Sequence, residues 1–346
     1  MDIGAQREIV EPIRGEDPIL KEALCRFGME AWTIGKIPEH EGGRNEIFVL
    51  ENSNKEKCIL RISALGDRTK EDYLAETEFV HYLAQNGAPV ADVRFSVNGT
   101  PVEQVEADKQ PAFVSLFEYA PGMLISDNGY RYRDGAPLSE YFFNTGKALG
   151  KIHALSKCYR PVHRRSDYFD KYNRTYIDRL IPDTYKVLKE AIFRRLEIFL
   201  TLSKDEETYG LVHFDFSDGN YHINMENGAI TVFDFDNAIY CWYMFDLANL
   251  WTHGVGWCQF EEDPNVRRAF MADYFKTVLD GYRTETDLSK TLLEKLPLFI
   301  DMVLIENIVD EFECCQRVGA KVDYEDIGDA AESLIHDFPM AGFFEK

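Results

Sequence analysis

Residues 211–236, LVHFDFSDGNYHINMENGAITVFDFD, constrain the fold more than any other stretch of this 346-residue chain. Two brief apolar runs, Gly210 to His213 and Ile230 to Phe235, have the length and composition of buried strands and flank a polar loop. His213 stands two residues before Asp215, Asn220 follows five residues after that Asp, and Asp234 lies near the end of the second run. Carboxylates and a carboxamide in this order form a set of hard oxygen donors. A magnesium ion accepts a few such ligands alongside water and phosphate oxygen.

The chain before this stretch reads as strands around one helix. Glu46 to Glu51 and Lys57 to Ser63 are rich in β-branched and aromatic residues and are joined by the turn residues NSNK, which predicts a pair of strands. Lys70 to Gln85 carries apolar residues at three- and four-residue spacings and is closed by Asn86-Gly87, as a helix would be. Further strands are expected at Val90 to Val97 and Ala112 to Tyr119, giving a sheet of five strands. Pro121-Gly122 then breaks the chain. We therefore expect an N-terminal unit over residues 1–119 and a second over 120–346. The second is mainly helical, with helices over Ser139 to Ser156, within Thr175 to Leu202, and from Asp246 onward. The fold class is α+β.

The pattern His213-x-Asp215-x-x-x-x-Asn220 followed by Asp234-Phe235-Asp236 resembles the catalytic and metal loops of the protein-kinase-like fold, in the version of the aminoglycoside-phosphotransferase and choline-kinase family. That resemblance implies a two-lobed kinase using ATP and Mg2+. Phosphoryl transfer rests on positioning and charge neutralisation, so each element has a task. Asp215 would be the catalytic base or the group that orients the acceptor hydroxyl, Asn220 and Asp234 the metal ligands, Asp236 a second metal or substrate contact, and His213 a brace for the loop. Upstream, Gly42, Gly43 and Asn45 would form the turn over the phosphates. Arg61 would pair with the α- and β-phosphates and be oriented by Glu76. Phe117, Glu118 and Ala120 would form the hinge around adenine, the latter two through backbone groups. The chain departs from the fold's common pattern in having Arg61 where a Lys is usual and in lacking a full G-x-G-x-x-G.

Asp246 follows Asp234 by only twelve residues, which leaves no room for the activation segment of a protein kinase, so a small-molecule acceptor is expected. Asp246 itself reads as the N-cap of the next helix. The aromatics between Ala238 and Phe245, with Trp251 and Trp257, suit either cation–π binding of a choline-like or amino-sugar acceptor or plain core packing. Asp218, Glu261, Glu262, Asp263, Asp310 and Glu311 are candidates for holding an amine. A net charge of −22 argues against a nucleic-acid partner and suits a cationic acceptor. No apolar run is long enough to span a membrane, and the seven scattered cysteines form no metal pattern, so a cytoplasmic protein with free thiols is expected. The competing expectation is a kinase-like fold that binds or scaffolds without catalysis.

Overall fold

A computed structural model describes residues 17–36, 45–63, 66–106 and 111–337. Gly42 and Gly43 lie outside the described residues. The chain divides into two compact units, neither of them a single run of sequence. The first comprises residues 1–135, 159–165 and 219–236, and the second 136–158, 166–218 and 237–346. Pro121-Gly122 thus falls within the first unit.

The first unit is built on an antiparallel sheet of six strands. Thr33–Lys36, Asn45–Glu51, Lys57–Ser63, Ala112–Glu118 and Val93–Arg94 lie side by side in that order, and Val102–Val105 also pairs with Ala112–Glu118. The expected strand over Val90 to Val97 shrinks to two residues, because Val90 bridges to Val232 instead of extending the sheet. The Lys70–Gln85 helix forms as expected. Thr69 caps it, accepting from Asp72 N–H, while the Asp72 carboxylate accepts from Thr69 N–H, and the helix buries Tyr73, Phe79, Val80 and Leu83. A second helix, Pro18–Phe27, was not expected. Asp17 caps its start and Gly28, in the left-handed region, its end; Leu20, Ala23, Leu24 and Phe27 pack with Leu50, Leu60 and Leu116 of the sheet.

A two-stranded hairpin, Tyr221–Ile223 with Ile230–Val232, completes this unit, with Asn220 preceding its first strand and Asp234 following its second. It is tied in by the Met123–Ile223 bridge. A side chain on Gly122, whose φ is +102°, would put a Cβ 2.3 Å from the Ile223 carbonyl oxygen, so only glycine permits that approach.

In the second unit, Leu138–Cys158 packs along Pro264–Tyr282 with almost no gap. Glycines make this possible: a Cβ on Gly146 would lie 1.9 Å from Val278 O, and one on Gly281 1.9 Å from Phe143 O. The long apolar helix Leu296–Val318 lies against Met244–Gly254 and Tyr324–His336. Tyr209–Val212 pairs antiparallel with Ile239–Trp242, and the loop that begins at His213 leaves from the end of the first of these strands. Among the described residues no helix is long and apolar enough to cross a membrane.

Candidate active site

The loop after Tyr209–Val212 is held from behind by one buried carboxylate. Asp246 was expected to cap a helix, but that helix begins at Met244, and Asp246 lies in its first turn with the carboxylate turned toward the loop. It accepts from His213 N–H and Phe214 N–H, each at 2.9 Å, and from His153 Nε2 at 3.1 Å. The reason is electrostatic. A fully buried carboxylate must be matched by donors, and two loop amides plus an imidazole N–H do so. His153 is itself fully buried, and burial holds it below the usual histidine range although Asp246 pulls the other way. It therefore stays neutral, donating through Nε2, while Nδ1 accepts from the Tyr282 hydroxyl at 3.0 Å. Tyr282 is delivered to this spot by the glycine-packed helix pair.

This clamp holds an unfavourable backbone. Phe214 has a φ of +71°, in the left-handed region, where a non-glycine residue costs about 1–2 kcal/mol. Its N–H is taken by Asp246, and its ring stacks on Phe245 with centroids 4.1 Å apart. Asp215 follows, half-buried, its N–H 3.4 Å from His213 Nδ1. His213 is fully buried, and its ring meets the Phe216 ring edge-on with centroids 5.6 Å apart.

The first unit assembles a second group of residues. Phe233 N–H donates to Asn220 O at 2.9 Å, extending the hairpin by one rung and setting Asp234 beside Asn220. Asp234 also has a left-handed backbone, with φ +64°, and its side chain is 48% exposed. Arg61 and Glu76 form a two-pronged ion pair at 2.8 and 2.7 Å, with residue exposures of 3% and 1%. Burial opposes the charge on Arg61, but the Glu76 carboxylate outweighs it and the guanidinium remains charged. Arg61 lies 3.8 Å from Asp234 and over the Phe117 ring, and its Nε–H has no acceptor among the described residues. Asp236 behaves differently from Asp234. It is buried, and its Oδ2 accepts from Arg68 and from Asn45, each at 3.1 Å. At the end of the Ala112–Glu118 strand, Glu118 N–H donates to Asp92 O, and Ala120 O accepts from His222 Nδ1.

Among the described residues no three His, Cys, Asp or Glu side chains form a self-sufficient metal centre. The donors present, the Asp234 carboxylate and the Asn220 carboxamide, instead fit a divalent ion that completes its shell with phosphate and water.

Within the second unit Asp215 opens on a cavity of about 290 Å³, lined also by Asn237, Asn249, His253, Glu306, Asn307, Asp310 and Glu311. No Phe, Tyr or Trp is among these lining residues. Trp242, Tyr243 and Phe245 are fully buried, and Trp257 packs on Tyr141 and Phe142, so these rings are core. Of the acidic candidates, Asp310 and Glu311 reach the cavity, whereas Asp263 caps the Pro264–Tyr282 helix. Glu306 was not anticipated. Desolvation, then the charges of Asp310 and Asp215, push its carboxyl up to about 8. Its i,i+4 spacing to Asp310 on one helix was the signal available in the sequence.

Comparison with known proteins gives the family and the fold. The amicoumacin kinase of Bacillus subtilis (strain 168) is 27% identical over 296 residues, covering 84% of this chain and 83% of that protein. Among solved structures, the amicoumacin kinase hAmiN in complex with AMP-PNP, Ca2+ and Ami is 22% identical, covers 95% of this chain and 96% of its own, and superposes with a TM-score of 0.78. A microcompartment-associated aminopropanol kinase, 18% identical and covering 93% and 98%, does so at 0.67. Both share the fold, which is protein-kinase-like. The model of the APH phosphotransferase enzyme family matches residues 37–286, and the chain belongs to that family.

Proposed function

We propose that this protein is an ATP- and Mg2+-dependent kinase that phosphorylates a hydroxyl group on a small molecule bearing a primary or secondary ammonium. In this reading Asp215 receives the proton of the acceptor hydroxyl as its oxygen bonds to the γ-phosphorus and the bond to the β-phosphate oxygen breaks, releasing ADP. Asn220 and Asp234 hold the metal, which neutralises phosphate charge when bound. Arg61, kept in place by Glu76, faces the phosphates, and the Ala120 N–H is the hinge donor to the purine. Asn45 belongs to this group through its contact with Asp236.

The observation that carries the acceptor class is the lining of the cavity beside Asp215: carboxyl groups, carboxamides and the His253 imidazole, with no Phe, Tyr or Trp ring. Such a wall accepts N–H bonds. A quaternary ammonium has none to give and is held in proteins by aromatic faces. Aminopropanol, named for one structural relative, has the proposed chemistry.

A matched acceptor panel tests this. Hydroxylated primary amines and their N-trimethyl counterparts are compared by kcat/KM, with the primary amine expected to be preferred at least about tenfold, since a hydrogen bond to a charged group contributes about 1.5–3 kcal/mol. Raising the pH through about 8 ionises Glu306 and should lower KM for cationic acceptors but not for neutral ones. Equal or better use of the trimethylated partners would sink the assignment.

A further inference from the structure

Asn249 is a buried polar side chain without a bond to make. It is 7% exposed, and its carboxamide has no hydrogen-bond partner among the described residues; only its backbone carbonyl is used, accepting from Thr252 Oγ1 at 2.8 Å. Asp246, one turn earlier on Met244–Gly254 and also buried, is matched by three donors. An amide taken out of water without a partner costs free energy, so folding alone gives no reason for one here. His253 follows four residues later, on the same face of the helix, and both side chains line the cavity beside Asp215. The His253 ring likewise makes no hydrogen bond among the described residues. Although its surface is partly open, desolvation holds it below the usual histidine range, and only Asp218 pulls the other way. A neutral imidazole offers one N–H and one acceptor nitrogen.

The other wall of the cavity differs in kind. Leu296–Val318, packed on Met244–Gly254, contributes the carboxyls of Glu306, Asp310 and Glu311 together with Asn307. Ionised carboxyls only accept hydrogen bonds and hold positive charge, whereas the Asn249 carboxamide and the His253 imidazole both donate and accept and carry none. A second ammonium, which only donates, would leave the Asn249 N–H groups unmet. A carboxylate, which only accepts, would be repelled by the acidic helix. Resting on the acceptor cavity proposed above, we infer that Asn249 and His253 are specificity-determining residues: they bind an uncharged group of the acceptor that both donates and accepts hydrogen bonds, such as a carboxamide, while the ammonium lies against Glu306 and Asp310. A simple amino alcohol leaves the pair unmet, and a site built to bond a group discriminates against the analogue that lacks it.

Three hydroxylated amines of one chain length test this, one bearing a carboxamide, one its methyl ester, which accepts but cannot donate, and one a methyl group. The wild-type protein should prefer the carboxamide over the methyl compound at least about tenfold in kcat/KM, with the ester between them. Asn249→Leu should shrink that preference to about threefold or less, through KM and not kcat, because the contact is remote from the phosphoryl group in transfer. Its urea midpoint should not fall, since a leucine of similar volume replaces an unpartnered amide; a fall, or failure to fold, would make Asn249 a structural residue and overturn the inference. His253→Ala, at an open position, should shrink the same preference and gives a reading independent of position 249. Equal use of the three compounds by the wild-type protein, or an unchanged preference in both variants, would also overturn it. Phosphorylation without the preference sinks this inference alone, whereas failure to phosphorylate any hydroxylated amine takes the kinase reading with it.

Discussion

Asp215→Ala is expected to lower kcat by about 10² to 10⁴, the range that general acid–base assistance supplies, while leaving AMP-PNP affinity at the wild-type value. Two features make the separation sharp. Asp215 stands on a loop whose shape is set by Asp246, His153 and Tyr282, so removing its side chain leaves the scaffold intact. It also lines the acidic cavity of the second unit, whereas Arg61, Asn220 and Asp234 belong to the first. A variant that kept near-wild-type turnover on a true acceptor would remove Asp215 from the chemistry. One that lost nucleotide binding instead would reassign it.

Glu76→Ala should destabilise the protein by about 3–5 kcal/mol, the usual cost of removing one partner of a buried ion pair. The cost comes less from the lost attraction than from what remains: a guanidinium at 3% exposure, stacked over Phe117, with only the half-exposed Asp234 carboxylate, 3.8 Å away, to match it. Urea unfolding followed by tryptophan fluorescence and circular dichroism measures the difference. A change below about 1 kcal/mol, the range of an exposed ion pair, would show that Arg61 is solvated or re-paired and would contradict the buried geometry.

How much of this was legible in the sequence depended on whether the signal was local. Lys57–Ser63 and Lys70–Gln85 form at their expected bounds because pairing turn, capping box and helix stop are all written within a few residues. The Pro18–Phe27 helix was equally local, with Asp17-Pro18 to start it and Gly28 to end it, and was overlooked amid the charged residues around it. Val93–Arg94 and Val102–Val105 are strands by virtue of their partner, Ala112–Glu118, and too short to announce themselves. Arg61 and Glu76, fifteen residues apart, were paired from the family pattern, and the structure brings them into contact. The clamp on the loop that carries Asp215 had no such guide: His153, Asp246 and Tyr282 are far apart in sequence, and nothing near any one of them names the others. The aromatic run before Asp246 carries one composition for two outcomes, core or cation site. Burial decides for core.

The central claim is that the γ-phosphoryl group of ATP ends on an acceptor oxygen, and following the label of γ-³²P-ATP with a panel of amino alcohols tests it most directly. The account predicts label in a phosphate ester of an amine-bearing acceptor, dependent on Mg2+, absent for the same amine without its hydroxyl, and strongly reduced in Asp215→Ala. Label that stays in ATP or appears only as inorganic phosphate, whatever hydroxylated amine is supplied, would contradict it.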